Sequence, residues 1–272
     1  MFTWLRRLFG PSVRRATRPP FLPEVVTLEE RCTPSLGATF SINNNNASSF
    51  DVKVATSDNG NSVVVFTLNI PGNLRDIAAR LVDHNGTMLG SEIATGTEDQ
   101  YDPDVAIDAA GNFVVVWESN IQNTPDRNVF AKVYSNTGTL KHLTSVADGG
   151  LDATNPVVAM SATGTWICAF ETAAMEGRDI YAKRFNFDGV QAGKTIGVSR
   201  AFLLDDSNPE IDANDSGAFT ISFQRETDVV SVYELHARRY TATGKLLGTT
   251  LVATSSPTVV PPRHPTTKPF PA

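Results

Sequence analysis

Gly60, Gly111, Gly164 and Gly217 stand 51, 53 and 53 residues apart, and a second set, Gly86, Gly138, Gly189 and Gly244, follows at intervals of 52, 51 and 55. The positions around these glycines agree as well. Six residues after each of the first set lies an aromatic (Phe66, Trp117, Phe170, Phe223), and eight before each stands Val52, Pro103, Pro156 or Pro209. Seven residues before each of the second set is an alanine (Ala79, Ala131, Ala182, Ala237), followed at once by a base (Arg80, Lys132, Lys183, Arg238). Self-similarity at a fixed period marks a repeat architecture, in which each supersecondary unit stacks on its neighbours to bury a face it cannot bury alone.

Each unit of about 52 residues reads as four short strands, a to d. Strand a, for example Val105-Ala-Ile-Asp108, follows a proline that suits a strand start. A glycine turn leads to strand b, such as Phe113-Val-Val-Val-Trp117, whose unbroken apolar run implies burial on both faces. Strand c alternates, with Val129 and Ala131 on one face and Phe130 and Lys132 on the other. The second glycine supplies the positive φ of a hairpin into strand d, such as Met88–Ile93. Four antiparallel strands repeated radially make an all-β, β-propeller-like array of four four-stranded repeats. The units fall at about 48–100, 101–153, 154–206 and 207–255, and Gly37–Asn43, similar to a d strand, extends the domain to 37–255.

Charge separates this body from its ends. Residues 1–36 carry six Arg against three Glu, and the Pro-rich tail 256–272 has Arg263 and Lys268 and no acid. The net charge of −6 therefore conceals a body near −11, the wrong sign for nucleic acid. No apolar run approaches the ~20 residues of a membrane helix. Both ends lack the apolar content to build a core and read as disordered. Arg6-Arg7-Leu8-Phe9 resembles a twin-arginine signal, but prolines and arginines occupy the place of an apolar region.

Two resemblances point outside the cytoplasm. Val26-Thr-Leu28-Glu29-Glu30-Arg31-Cys32 is similar to a short L-E-x-R leader motif of bacterial exported proteins. Asp179-Ile-Tyr-Ala-Lys-Arg-Phe-Asn-Phe-Asp-Gly189 with Asn208-Pro-Glu-Ile and Gly217-Ala-Phe-Thr-Ile-Ser-Phe223 resembles a repeat of bacterial secreted and surface proteins, v-Y-A-q-R-f-d-x-x-G … P-x-v-a … G-x-f-v-V-x-W. The same pattern recurs in Asp102–Glu118. This resemblance covers about residues 37–255 and implies a propeller-like, extracytoplasmic, non-catalytic module, secreted or held in the cell envelope.

Three constellations carry candidate chemistry. Arg75, Arg127 and Arg178 share one offset, eleven before the second glycine, with Tyr233 in the fourth unit. Guanidinium forks suit carboxylate or sulfate, and the row is similar to the arginine cluster of sialidases, although the S-x-D-x-G-x-T-W box is absent. The blander expectation pairs these arginines locally with Asp76 or Asp179. Glu118 and Glu171 directly follow the strand-b aromatic, where the other units have Thr67 and Gln224. Two carboxyls can serve a glycosidase as acid and nucleophile, but repeat-equivalent residues usually share one structural task. Finally, the d–a loops are acidic, and Asp99, Asp102, Asp152, Asp205 and Asp206 are candidate ligands for Ca²⁺, the one cofactor suggested. No D-x-D-x-D-G loop fixes such a site, and the four scattered histidines give no zinc spacing.

The expectation is a non-catalytic recognition or scaffold module that binds glycan or protein through its acidic, irregular loop face. Two alternatives stand beside it: a sialidase-like or other glycoside hydrolase, and a calcium-stabilised structural surface repeat. Four blades are few for a closed ring, so a monomer, a dimer or an open array all fit the sequence.

Overall fold

The computed structural model describes residue 42 and residues 48–69, 75–94, 99–120, 126–147, 152–174, 177–199, 204–227, 229 and 232–255. They all belong to one compact unit, Ser41–Ala272. The leader, Cys32, most of the Gly37–Asn43 segment, the tail and the loop acids Glu98, Asp148, Glu176 and Asp228 lie outside them.

Among the described residues, sixteen strands make four antiparallel four-stranded meanders. Sheet 1 holds β1 (Ser48–Thr56), β2 (Ser62–Asn69), β3 (Arg75–Val82) and β4 (Met88–Ala94). Sheet 2 holds β5 (Gln100–Ile107), β6 (Phe113–Asn120), β7 (Arg127–Tyr134) and β8 (Leu140–Ala147). Sheet 3 holds β9 (Ala153–Met160), β10 (Trp166–Ala174), β11 (Gly177–Phe185) and the short β12 (Ile196–Gly197). Sheet 4 holds β13 (Asp206–Ala213), β14 (Phe219–Glu226), β15 (Tyr233–Tyr240) and β16 (Leu246–Thr254). This is the all-β, propeller-like array that the repeat dictates.

The turns behave as their chemistry requires. Gly111 has φ 85°, its N–H bonds the Asp108 carbonyl at 3.0 Å, and a Cβ there would meet that of Asn136 at 3.1 Å. One strand start differs from the expectation. The a strands do not begin after Pro103, Pro156 and Pro209 but run through them, because a β-bulge absorbs the missing donor.

Sheets 1 to 3 bury both faces of their second strand, and sheet 4 buries one. Val63, Val65, Ile77 and Ala79 of sheet 1 pack on Val105, Phe113, Val115 and Trp117 of sheet 2. Val114, Val116, Val129 and Ala131 pack on Val158, Trp166, Cys168 and Phe170 of sheet 3. Ile167, Ala169, Ile180 and Ala182 pack on Phe219, Ile221 and Phe223 of sheet 4. Within sheets 2 to 4 a b-strand aromatic stacks on a c-strand one: Phe113 on Tyr134, Trp166 on Phe185 and Phe219 on Tyr240, at 4.0–5.0 Å. The c-strand bases reach the neighbouring sheet; Lys183 Nζ donates to the Val146 carbonyl at 2.6 Å and Arg238 to that of Val198.

Three apolar cores therefore join four sheets, and among the described residues none joins sheet 4 to sheet 1. The two outer faces differ. On sheet 4 the positions held elsewhere by valine, isoleucine and alanine are Thr220 and Ser222, with an exposed Gln224 beside them, a polar end such as terminal repeats use. On sheet 1 the outer face stays apolar, with Val64, Phe66, Leu68 and Ala78 buried and Ile42 packed against them.

Candidate functional site

The four bulges put one residue of each inner strand into the left-handed region: Asp51 (φ 51°), Asp102 (45°), Asn155 (49°) and Asn208 (51°). Asp and Asn tolerate this conformation better than other residues with a Cβ. All four, with Val52, Pro103, Pro156, Pro209, Lys53 and Glu210, line a single cleft of about 240 Å³ between the innermost strands. Its walls are apolar at the prolines and polar at the Asx side chains. Of these four residues only Asp102 stands out in the sequence, as a metal candidate. The signal of the whole set was present, since D, D, N and N precede Val52 and the three prolines.

Behind the cleft, Glu118 and Glu171 sit at 0% and 1% exposure and join one sheet to the next. Glu118 accepts a hydrogen bond from Arg127 through Oε1, and through Oε2 from the Asn155 backbone N–H at 3.3 Å. Glu171 accepts from Arg178 Nη1 at 3.0 Å through Oε2. Its Oε1 accepts from the Asn155 side-chain amide at 2.8 Å and from the Asn208 N–H at 2.7 Å. Each carboxylate thus fixes an arginine of its own sheet and the bulge of the following one. Arg127 and Arg178 take these glutamates as their ion-pair partners. Burial, aided by the nearby Asp102 carboxyl, pushes Glu118 up to about 7 against the pull of Arg127. Asp104, whose Oδ2 accepts from the Val158 N–H at 2.8 Å, is also raised by burial.

The junction between sheets 1 and 2 lacks the carboxylate. Thr67 takes its place, fully buried, and its hydroxyl has no hydrogen-bond partner among the described residues. Arg75 instead lies over the Tyr101 ring (4.7 Å to the centroid) and near that of Phe50 (5.7 Å). Arg127 stands 5.2 Å from the same Tyr101 ring. The Tyr101 hydroxyl donates to Asp99, and burial with that carboxylate raises its pKa.

The five aspartates considered for Ca²⁺ have separate tasks. Asp99, Asp152 and Asp205 each accept an N–H at the start of strand c in the preceding sheet, from Arg75 (3.0 Å), Arg127 (3.0 Å) and Arg178 (2.8 Å). Asp206 forms a two-pronged pair with Arg225 at 2.8 and 2.9 Å, and Asp102 lines the axial cleft. Among the described residues no three His, Cys, Asp or Glu side chains come together as a metal-holding group. A second opening of about 400 Å³, between sheets 3 and 4, is lined by Glu171, Arg178, Asp205, Asn208, Glu226 and Tyr233, among others.

No protein-family model matches the chain. No curated protein matches it in sequence. Solved structures do share its fold. The α-L-arabinanase of Penicillium chrysogenum, complexed with arabinobiose, is similar at TM-score 0.54 and 12% identity over 74% of this chain and 65% of its own. An α-L-arabinofuranosidase of Fusarium graminearum, also with arabinobiose, gives 0.54 and 11% over 74% and 65%. The Fusarium graminearum enzyme ARB93A with an iminosugar inhibitor gives 0.55 and 11% over 75% and 67%. The chain thus spans about two thirds of their length, and the likeness shows a common propeller-like fold.

Proposed function

We propose that this chain is a non-catalytic glycan-recognition module acting outside the cytoplasm, and that it engages sugar in the axial cleft. The observation that carries this reading is that four repeat-equivalent Asx residues, each followed by proline or valine, line one concave site. Amide and carboxylate groups exchange hydrogen bonds with sugar hydroxyls, while the proline rings offer apolar walls to the C–H faces. The engagement of Glu118 and Glu171 in latching neighbouring sheets supports a binding task over a chemical one. That the neighbouring folds are named as arabinan- and arabinoside-acting proteins, two of them with arabinobiose, agrees with a carbohydrate ligand. The basic leader resembling an export motif supports the location.

A glycan array that includes arabinan oligosaccharides tests the reading, with affinities then measured by titration calorimetry. Asp51→Gly and Asn208→Gly remove side chains from the cleft while keeping the left-handed backbone. Each is expected to weaken binding at least tenfold. An array without hits, or affinity unchanged in both variants, refutes the proposal.

One observation favours a second reading, a glycoside hydrolase: a buried carboxyl held at about 7 is poised to act as an acid. Turnover of chromogenic arabinosides that disappears in Glu118→Gln establishes that reading and removes the first.

A further inference from the structure

The residue before each left-handed Asx changes along the chain from Phe50 to Tyr101, Thr154 and Ser207, two rings and then two short hydroxyl side chains. At the first junction the Tyr101 ring lies near two strand-c arginines, 4.7 Å from Arg75 of sheet 1 and 5.2 Å from Arg127 of its own sheet. Its hydroxyl donates to Asp99 Oδ2, while Oδ1 of the same carboxylate accepts the Arg75 N–H. At the second junction the position is Thr154, which accepts a hydrogen bond from Arg178 at 3.2 Å. At the third it is Ser207, and the corresponding strand-c residues are Arg178 of sheet 3 and Tyr233 of sheet 4. Ser207, Arg178 and Tyr233 all line the opening of about 400 Å³ between those sheets. By repeat equivalence, this opening stands where the first junction holds an aromatic ring.

We propose that this opening is a subsite for one ring of a neutral oligosaccharide, which takes there the place that Tyr101 takes at the first junction. The proposal rests on the glycan reading above and adds a second point of contact to it. Tyr233, 44% exposed, is the aromatic surface for the C–H side of the sugar ring, and Ser207 and Arg178 supply hydrogen-bonding groups to its hydroxyls. Asp205 repeats the role of Asp99: its Oδ1 accepts the Arg178 N–H at 2.8 Å, and its Oδ2 is the counterpart of the oxygen that takes the Tyr101 hydroxyl. A ligand hydroxyl is received there as that phenol is. Charge selects among sugars. Arg178 is set against Glu171 at 3.0 Å, which leaves Asp205 and Glu226 in the lining, so uronates and sulfated sugars are repelled and neutral ones are not. Asn155 and Asn208 line both this opening and the axial cleft, so one glycan chain runs from the one into the other. The axial cleft alone, about 240 Å³, is small against the ~300–1,000 Å³ usual for ligand sites, and the second opening brings the whole into that range.

The test titrates the full chain with length series, disaccharide to hexasaccharide, of neutral arabinan, xylan, mannan and β-glucan fragments, beside an oligogalacturonate series. Calorimetry is expected to show at least one neutral series gaining tenfold or more in affinity from its shortest member to its longest. Tyr233→Ala reduces that gain to less than twofold. Ser207→Tyr, which restores the ring of the first junction, fills the opening and removes the gain as well. Affinity independent of length overturns the subsite while leaving the axial module in place. A gain that survives Tyr233→Ala, or survives in a folded Ser207→Tyr, does the same. Tyr233 is exposed, so its variant decides the matter if Ser207→Tyr does not fold. A gain larger for oligogalacturonates than for every neutral series overturns the ligand class. Binding of no oligosaccharide overturns both the subsite and the glycan reading.

Discussion

The first junction and the later two solve one packing problem in different ways. Between sheets 2 and 3, and again between sheets 3 and 4, a buried glutamate accepts bonds from its own sheet's arginine and from the backbone of the next. Between sheets 1 and 2 the apolar core of Val63, Val65, Ile77, Val115 and Trp117 holds without such a latch. The latch is therefore not needed to close a junction. A buried ion pair is weak evidence for net stability, because desolvation offsets most of its attraction, but removing one partner of an existing pair is costly. What the glutamates add is a fixed position for the Asx residues at the cleft; where the glutamate is missing, the arginine lies over the Tyr101 ring instead.

Breaking the latch should give the largest effect. Glu171→Ala strands the Asn208 N–H, the Asn155 side-chain amide and Arg178 at once, and is expected to cost ~4 kcal/mol. Thermal unfolding followed by circular dichroism should show a melting temperature lower by roughly 10 °C. A change of less than about 2 °C would mean that the third junction, like the first, rests on its apolar core alone.

The pH dependence of stability sharpens the contrast further. Glu118 titrates at about 7 when folded, against 4.5 for a free glutamate. A raised carboxyl pKa means that the folded state binds the extra proton, so this contribution is present below pH 4.5 and is lost as pH rises through 7. Its ceiling is ~3 kcal/mol. Asp104, raised by burial, acts in the same direction. The melting temperature should fall between pH 5 and pH 8, and Glu118→Gln should flatten most of that slope. The first junction, with threonine in place of glutamate, contributes none of it. A profile unchanged by Glu118→Gln would assign the slope elsewhere.

What the sequence made legible follows from what repetition exposes. Four copies identify glycine turns, b-strand aromatics and the alternation of c, because each recurs at the same offset and has the same physical cause in every unit. The glutamates and arginines stood out for the same reason, yet their pairing did not, since Glu118 bonds Asn155 and Glu171 bonds Asn208 in the following unit, 37 residues away. The cleft was hidden by a rule applied too locally. Pro103, Pro156 and Pro209 lack a donor, which by itself points to a strand start. The bulge lets the strand pass through them and turns the preceding Asx to the axis. The acidic loops also changed their meaning: Asp99, Asp152 and Asp205 cap the neighbouring sheet's strand c.

The smallest effect tests the Thr67 hydroxyl itself. Thr67→Val replaces a buried, unpartnered hydroxyl by a methyl of nearly the same shape. If the hydroxyl meets no partner in the free protein, its desolvation is a standing cost, and removing it should stabilise the fold by ~1 kcal/mol. Elsewhere in a well-paired core the same change would lose a hydrogen bond and destabilise. The sign of the shift in chemical denaturation therefore distinguishes the two cases. Stabilisation with an unchanged m-value shows that the first junction carries the standing cost of an unmet hydroxyl. Destabilisation would mean that the hydroxyl is satisfied in solution, and the difference between the junctions would then be one of sequence and not of energy.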